Sequence, residues 1–134
     1  MADVNLVAVV VAAVLNIVIG MLWYSPLLFG RKWLSAMGLK KGEMKKEGMA
    51  KVHVLMFIAA LIMSYVLATF IDFTAATTAM QGVATGFWVW IGFVATTLLP
   101  VYIFENRPKQ LYGIYAAYQL VFLLVAGAML AVWV

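Results

Sequence analysis

Few side chains in this sequence can do chemistry. There is a single histidine, His53, and no cysteine. A His-pair or thiolate metal site therefore cannot be built within one chain, and neither a metal nor a cofactor is expected. The acids are Asp3, Glu43, Glu47, Asp72 and Glu105. None falls in the middle of an apolar run, where an ionisable group would point to a proton or ion path. No P-loop, dinucleotide fingerprint, zincin pattern or Gly-x-Ser-x-Gly elbow occurs. With no nucleophile–base pair, no catalytic residue is assigned and the chain is expected not to be an enzyme.

Two polar groups remain. His53, Glu105, Arg107 and Tyr112 flank apolar runs. His53 and Glu105 are expected either to pair across helices or to stand as separate solvated groups. Asn16, Ser64, Thr96 and Gln119 lie inside apolar runs. Asn16 and Gln119 each stand eight residues from the same end of their runs. At helical rise that is a matching depth of about 12 Å. Amides at equal depth are expected to bond to one another, a gain of about 1 kcal/mol. The layer reads first as interhelical glue and second as a binding layer.

The elements that carry these residues follow from composition. Of 134 residues, 67% are hydrophobic and 10% charged, with a mean hydropathy of +1.07. Soluble domains are about 45–50% apolar and about 25% charged, and one this small could not hide so much apolar surface. A soluble globular domain, a disordered chain and a nucleic-acid-binding domain are thereby excluded. Four apolar runs have bilayer length, residues 4–24, 52–72, 80–100 and 111–134. They are too long for barrel strands. The expected fold is an all-α integral membrane protein, a single domain of four transmembrane helices. The first run has no positive stretch before it and is read as a retained helix rather than a cleaved leader.

Lipid supplies no hydrophobic force between helices, so small and polar stripes must make the contacts. The first run carries Ala8, Ala12, Asn16, Gly20 and Tyr24, and the second Ala60, Ser64, Ala68 and Asp72. The third carries Gly82 and Gly86, then Gly92, Thr96 and Pro100. The fourth carries Tyr112, Ala116, Gln119, Leu123 and Gly127. These stripes should face inward, with Gly20, Gly82 and Gly86 as packing points and Leu15, Val18 and Leu124 outward.

All nine Lys and Arg lie between the first and second runs or between the third and fourth. The positive-inside rule then puts both basic loops in the cytoplasm and both termini outside. Trp23, Tyr24, Trp33, Tyr102 and Tyr112 mark the inner interface and Trp133 the outer one, whereas Trp88 and Trp90 are too central to anchor at either. In the long basic loop, residues 25–51, Phe29, Trp33 and Met37 recur at i+4. They predict a short interfacial helix followed by a solvated basic stretch that attracts anionic lipids, with docking of a cytosolic partner as the alternative. Residues 25–32 and 99–109 both run from proline through phenylalanine to basic residues, a faint parallel repeat.

Several stretches, taken together, resemble the signatures of a bacterial membrane-protein family. They are Trp23-Tyr24-Ser25-Pro26-Leu27-Leu28-Phe29-Gly30, Gly92-Phe93 through Pro100 to Phe104-Glu105-Asn106-Arg107-Pro108, Tyr118-Gln119-Leu120 and the closing Trp133. The family is catalogued as domain of unknown function 1761. The resemblance spans essentially the whole chain. It implies a small multi-span membrane protein and carries no activity and no catalytic residues. The expected role is that of a non-enzymatic inner-membrane protein acting as a homo-oligomer or as a subunit of an assembly. The alternative is a small transporter or channel with its pathway between protomers.

The charge asymmetry is directly testable. In intact cells, a cysteine at Gly42 should resist an impermeant thiol reagent and one at Thr77 should react. The reverse pattern would overturn the orientation.

Overall fold

The computed structural model describes residues 4–25, 28–36 and 49–133. Met37 and the basic stretch 40–48 lie outside the described residues. The described elements are α1 (Leu6–Trp23), α2 (Gly30–Ala36), α3 (Met49–Phe73), α4 (Ala79–Val89), a π-helical segment (Trp90–Ala95), α5 (Thr96–Phe104) and α6 (Lys109–Val132). They include no strand. Four helical stretches are long and apolar enough to cross a membrane, as expected: α1, most of α3, the continuous stretch from α4 to α5, and α6. A short helix, α2, falls where the interfacial helix is expected. Below, the end of the bundle where α1 stops and α6 starts is the basic end, and the opposite end is the neutral end.

The helix ends are set by local chemistry. Asn5 caps α1, its Oδ1 accepting from the Val7 and Ala8 amides at 3.1 and 3.2 Å. Thr78 and Gln81 form a reciprocal capping box on α4. At their C-termini, α3 and α5 close alike. The Ala76 amide donates to the Ile71 carbonyl at 3.1 Å, and the Arg107 amide to the Tyr102 carbonyl at 3.0 Å. The residue before each is left-handed, Ala75 at φ 56 and Asn106 at φ 53, as this type of helix stop requires.

Pro100 does not end the third run, contrary to expectation. The helix continues to Phe104 with Pro100 inside it. A proline removes one ladder bond and crowds the carbonyl four residues back. The π segment just upstream is the kind of local adjustment that lets a helix absorb this.

α6 is the shared element. It packs most extensively on α4 and also touches α1, α3 and α2. The core is Ala8, Ala12, Leu67, Ile71, Phe122 and Ala126, from α1, α3 and α6. The α4–α6 contact is backbone on backbone. A methyl group at Gly82 would strike the Gly127 carbonyl, and one at Gly127 would strike the Gly82 carbonyl. One at Gly86 would strike the Leu123 carbonyl. The expected glycine groove on the third run is therefore filled from within the chain. Of the residues expected outward, Val18 is exposed and Leu15 and Leu124 are half-buried.

These contacts fix the sign of a substitution. Gly86→Ala should destabilise by about 1–3 kcal/mol, because backbone must move to admit the methyl. Gly92→Ala, at a position with no atom near the new methyl, should not. Thermal melting in detergent checks both; equal melting points would mean the α4–α6 approach is not this close.

Candidate functional site

At the basic end the helices are joined through rings. The chain leaves α1 through a tight turn in which the Phe29 amide donates to the Trp23 carbonyl at 3.0 Å and the Gly30 amide to the Ser25 carbonyl at 2.9 Å. This brings Phe29 onto Trp23, with ring centroids 4.7 Å apart, and starts α2. Trp33 on α2 then donates from Nε1 to the Tyr115 hydroxyl at 2.8 Å. Tyr24 lies against Trp33, Tyr115 and Tyr118, and Tyr115 continues to Tyr102, which meets Tyr112 edge-on. The result is one continuous aromatic cluster linking α1, α2, α5 and α6.

Polar tips of these rings end on helix backbone. Trp23 Nε1 donates to the Ile114 carbonyl at 3.0 Å, and Trp90 Nε1 to the Ala116 carbonyl at 2.8 Å. The Tyr112 hydroxyl donates to the Ala95 carbonyl, inside the π segment, at 2.9 Å. A carbonyl oxygen has two lone pairs, so a helical carbonyl can accept a second bond. The two central tryptophans divide: Trp90 turns in, whereas Trp88 is exposed.

Just above the rings is a polar layer. The Tyr118 hydroxyl reaches the Asn16 carbonyl at 2.8 Å and the Asn16 Oδ1 at 2.9 Å, and all of these groups are buried. Gly20 makes room for it, since a methyl there would meet the Tyr118 hydroxyl at 2.8 Å. Asn16 and Gln119 are thus not each other's partners as depth suggested; Tyr118, the neighbour of Gln119, takes the bond. Asn16 Nδ2, Ser64 Oγ and Gln119 Oε1 remain buried with no hydrogen bond among the described residues. They sit on α1, α3 and α6 respectively, which pack on one another. A buried polar atom without a partner costs about 1–3 kcal/mol, so this layer keeps unused hydrogen-bonding capacity in an otherwise apolar interior.

The other expected site residues are dispersed. Thr96 is not in the layer: it is exposed, and its hydroxyl donates to the Gly92 carbonyl of its own helix at 2.7 Å. The extra residue of the π segment turns Gly92, Thr96 and Pro100 outward and brings Ala95 and Tyr102 in. Glu105 pairs with Arg107 at 3.3 Å within one exposed loop. Tyr112 belongs to the ring cluster, and His53 is exposed near the start of α3. Sequence reasoning missed Tyr118 and Tyr115 as ring and hydrogen-bond partners. Their i+3 spacing on α6, on the side of Tyr112, was the available signal.

The fold and this site define a small all-helical protein whose four long helices are apolar enough to cross a membrane, tied together by rings at one end. The family described as "Protein of unknown function (DUF1761)" matches residues 7–131, and the chain belongs to it. Of the stretches that carry the resemblance, Trp23, Tyr24, Phe29, Tyr102 and Tyr118 supply rings of the cluster, whereas Gly92, Phe93, Pro100 and residues 104–108 are exposed. No curated protein and no solved structure matches the chain.

The Tyr118–Asn16 link should be measurable as a coupling. In a double-mutant cycle of Tyr118→Phe and Asn16→Ala, the interaction energy should be about 1 kcal/mol. Purely additive losses in melting experiments would show that the hydroxyl and the amide do not act together.

Proposed function

We propose that this chain is a non-enzymatic integral protein of the inner membrane that works as a homo-oligomer. The carrying observation is the outward face of the third membrane-length helix. Only 11% of that helix's most apolar stretch is buried, against 50% for α6. Its exposed side carries Trp88, Gly92 and Phe93, with Thr96 and Thr97 below them. Gly92 has open space around it. A small-residue notch flanked by large rings suits the close approach of another helix better than it suits lipid tails. Both basic loops are assigned to the cytoplasm, where residues 25–51 meet anionic lipids, and both termini to the outside. In this reading the ring cluster and polar layer hold each protomer rigid. A small transporter with its pathway between protomers is the second reading, and the exposed Thr96 and Thr97 favour it, since they would line such a seam.

The test is the mass of the protein in mild detergent. The wild type should run as a discrete oligomer. Gly92→Leu should shift it to the monomer while leaving the melting temperature of the protomer unchanged. A monomeric wild type, or an oligomer indifferent to Gly92→Leu, would remove the third helix as the interface.

A further inference from the structure

The neutral end holds a cavity that none of these roles uses. Its volume is about 280 Å³, and it opens where α1 begins and α3 and α6 stop. Val4, Ala68, Ile71, Leu130 and Ala131 form apolar walls, and Trp133 stands at the side. Asp72 supplies the single ionisable group of the lining. Its carboxylate has no ion pair or hydrogen bond among the described residues.

The local field favours a cation. The C-termini of α3 and α6 both end at the cavity, and each carries partial negative charge. Two helix N-termini also lie near, and several of their amides are already bonded. Asn5 Oδ1 accepts from the Val7 and Ala8 amides of α1, and the Gln81 Oε1 accepts from the Thr77 and Thr78 amides beside the cavity. An anion therefore finds no positively charged side chain in the lining and meets the Asp72 carboxylate. The described basic residues, Arg31, Lys32, Lys51, Arg107 and Lys109, all lie towards the opposite end. The rim is also fixed in place: Ala75 is held left-handed, and the Ala76 amide is bonded back to Ile71.

A bare metal ion is a poor fit. It would need several oxygen ligands, and the described residues contain no group of three or more His, Asp or Glu side chains able to hold one. One carboxylate, aliphatic walls and an indole instead suit a charged amine with a compact apolar body. The ammonium would pair with Asp72, and the ring of Trp133 would add a cation–π contact. We propose that this cavity binds a compact organic ammonium ion from the side of the membrane where the two termini lie. The proposal does not depend on the homo-oligomer, since no residue of α4 or α5 lines the cavity.

The test uses the full chain in detergent with benzylamine as probe, and with benzyl alcohol and benzoate as neutral and anionic counterparts. Calorimetry or saturation-transfer NMR should show saturable benzylamine binding and none for benzoate. Asp72→Asn should weaken benzylamine at least tenfold and leave the weak partitioning of benzyl alcohol unchanged. Thr77→Phe, which narrows the rim and keeps the carboxylate, should also weaken benzylamine, so the test survives if Asp72→Asn fails to fold. Equal benzylamine binding by wild type and Asp72→Asn would overturn the proposal. So would competition by benzyl alcohol at equal concentration, or displacement by submillimolar calcium.

Discussion

The structure depends on how closely α4 can approach α6. In an apolar surrounding, burying another leucine gains little, because lipid tails solvate it as well as protein does. What remains is dispersion at short range and weak contacts between Cα–H groups and carbonyls. Gly82, Gly86 and Gly127 allow both, because each leaves backbone where a side chain would stand. Once α4 is seated, α6 has one face committed, and α1 and α3 can close on the other with their alanines. The central position of α6 follows from three glycines rather than from its own hydrophobicity, which is lower than that of α1 or α3.

The two ends of the bundle solve the same problem with different chemistry. Near the neutral end, small residues bring backbones together. Near the basic end, rings stand between the helices and their N–H and O–H tips fasten to carbonyls of neighbouring helices. Trp23 and Trp90 both end on α6, two residues apart, at Ile114 and Ala116. These bonds fix the rotation of α6 about its axis, which nonspecific packing would leave free. Tyr118, seated over Gly20, marks the level at which one device gives way to the other.

Much of this was legible from residue types. The apolar runs gave the four long helices, and the alanine stripe ending at Asn16 gave the buried face of α1. The left-handed stop at Asn106 suits its residue, because asparagine tolerates that region. Ala75 gave no such signal, since alanine is not expected there and only the packing of the loop holds it. The outward turn of Thr96 was hidden for a similar reason: a stripe drawn at even spacing assumes a regular helix, and the π segment breaks the count. Depth arithmetic placed Asn16 near Gln119 but could not choose between Gln119 and its neighbour Tyr118, because reach and rotation decide partners within one turn. The cavity at Asp72 joins three chain segments far apart in sequence, and no local pattern encodes that meeting.

The π segment has an evolutionary consequence. A π turn is what a regular helix becomes when one residue is inserted and the surrounding packing is kept. Here the insertion divides the helix into two halves with independent phases: the α4 half keyed to Gly127, and the α5 half keyed to Tyr112. Substitutions within Trp90–Ala95 therefore act locally, whereas loss of one residue from it acts as a gear change. It would rotate the α5 half by about 100° relative to the α4 half, taking Tyr102 out of the ring cluster and presenting a different face of the protein to its surroundings. A lineage carrying that deletion would keep its composition, its hydropathy profile and nearly all of its residues. It would nonetheless display a different surface, a change that overall identity would not register.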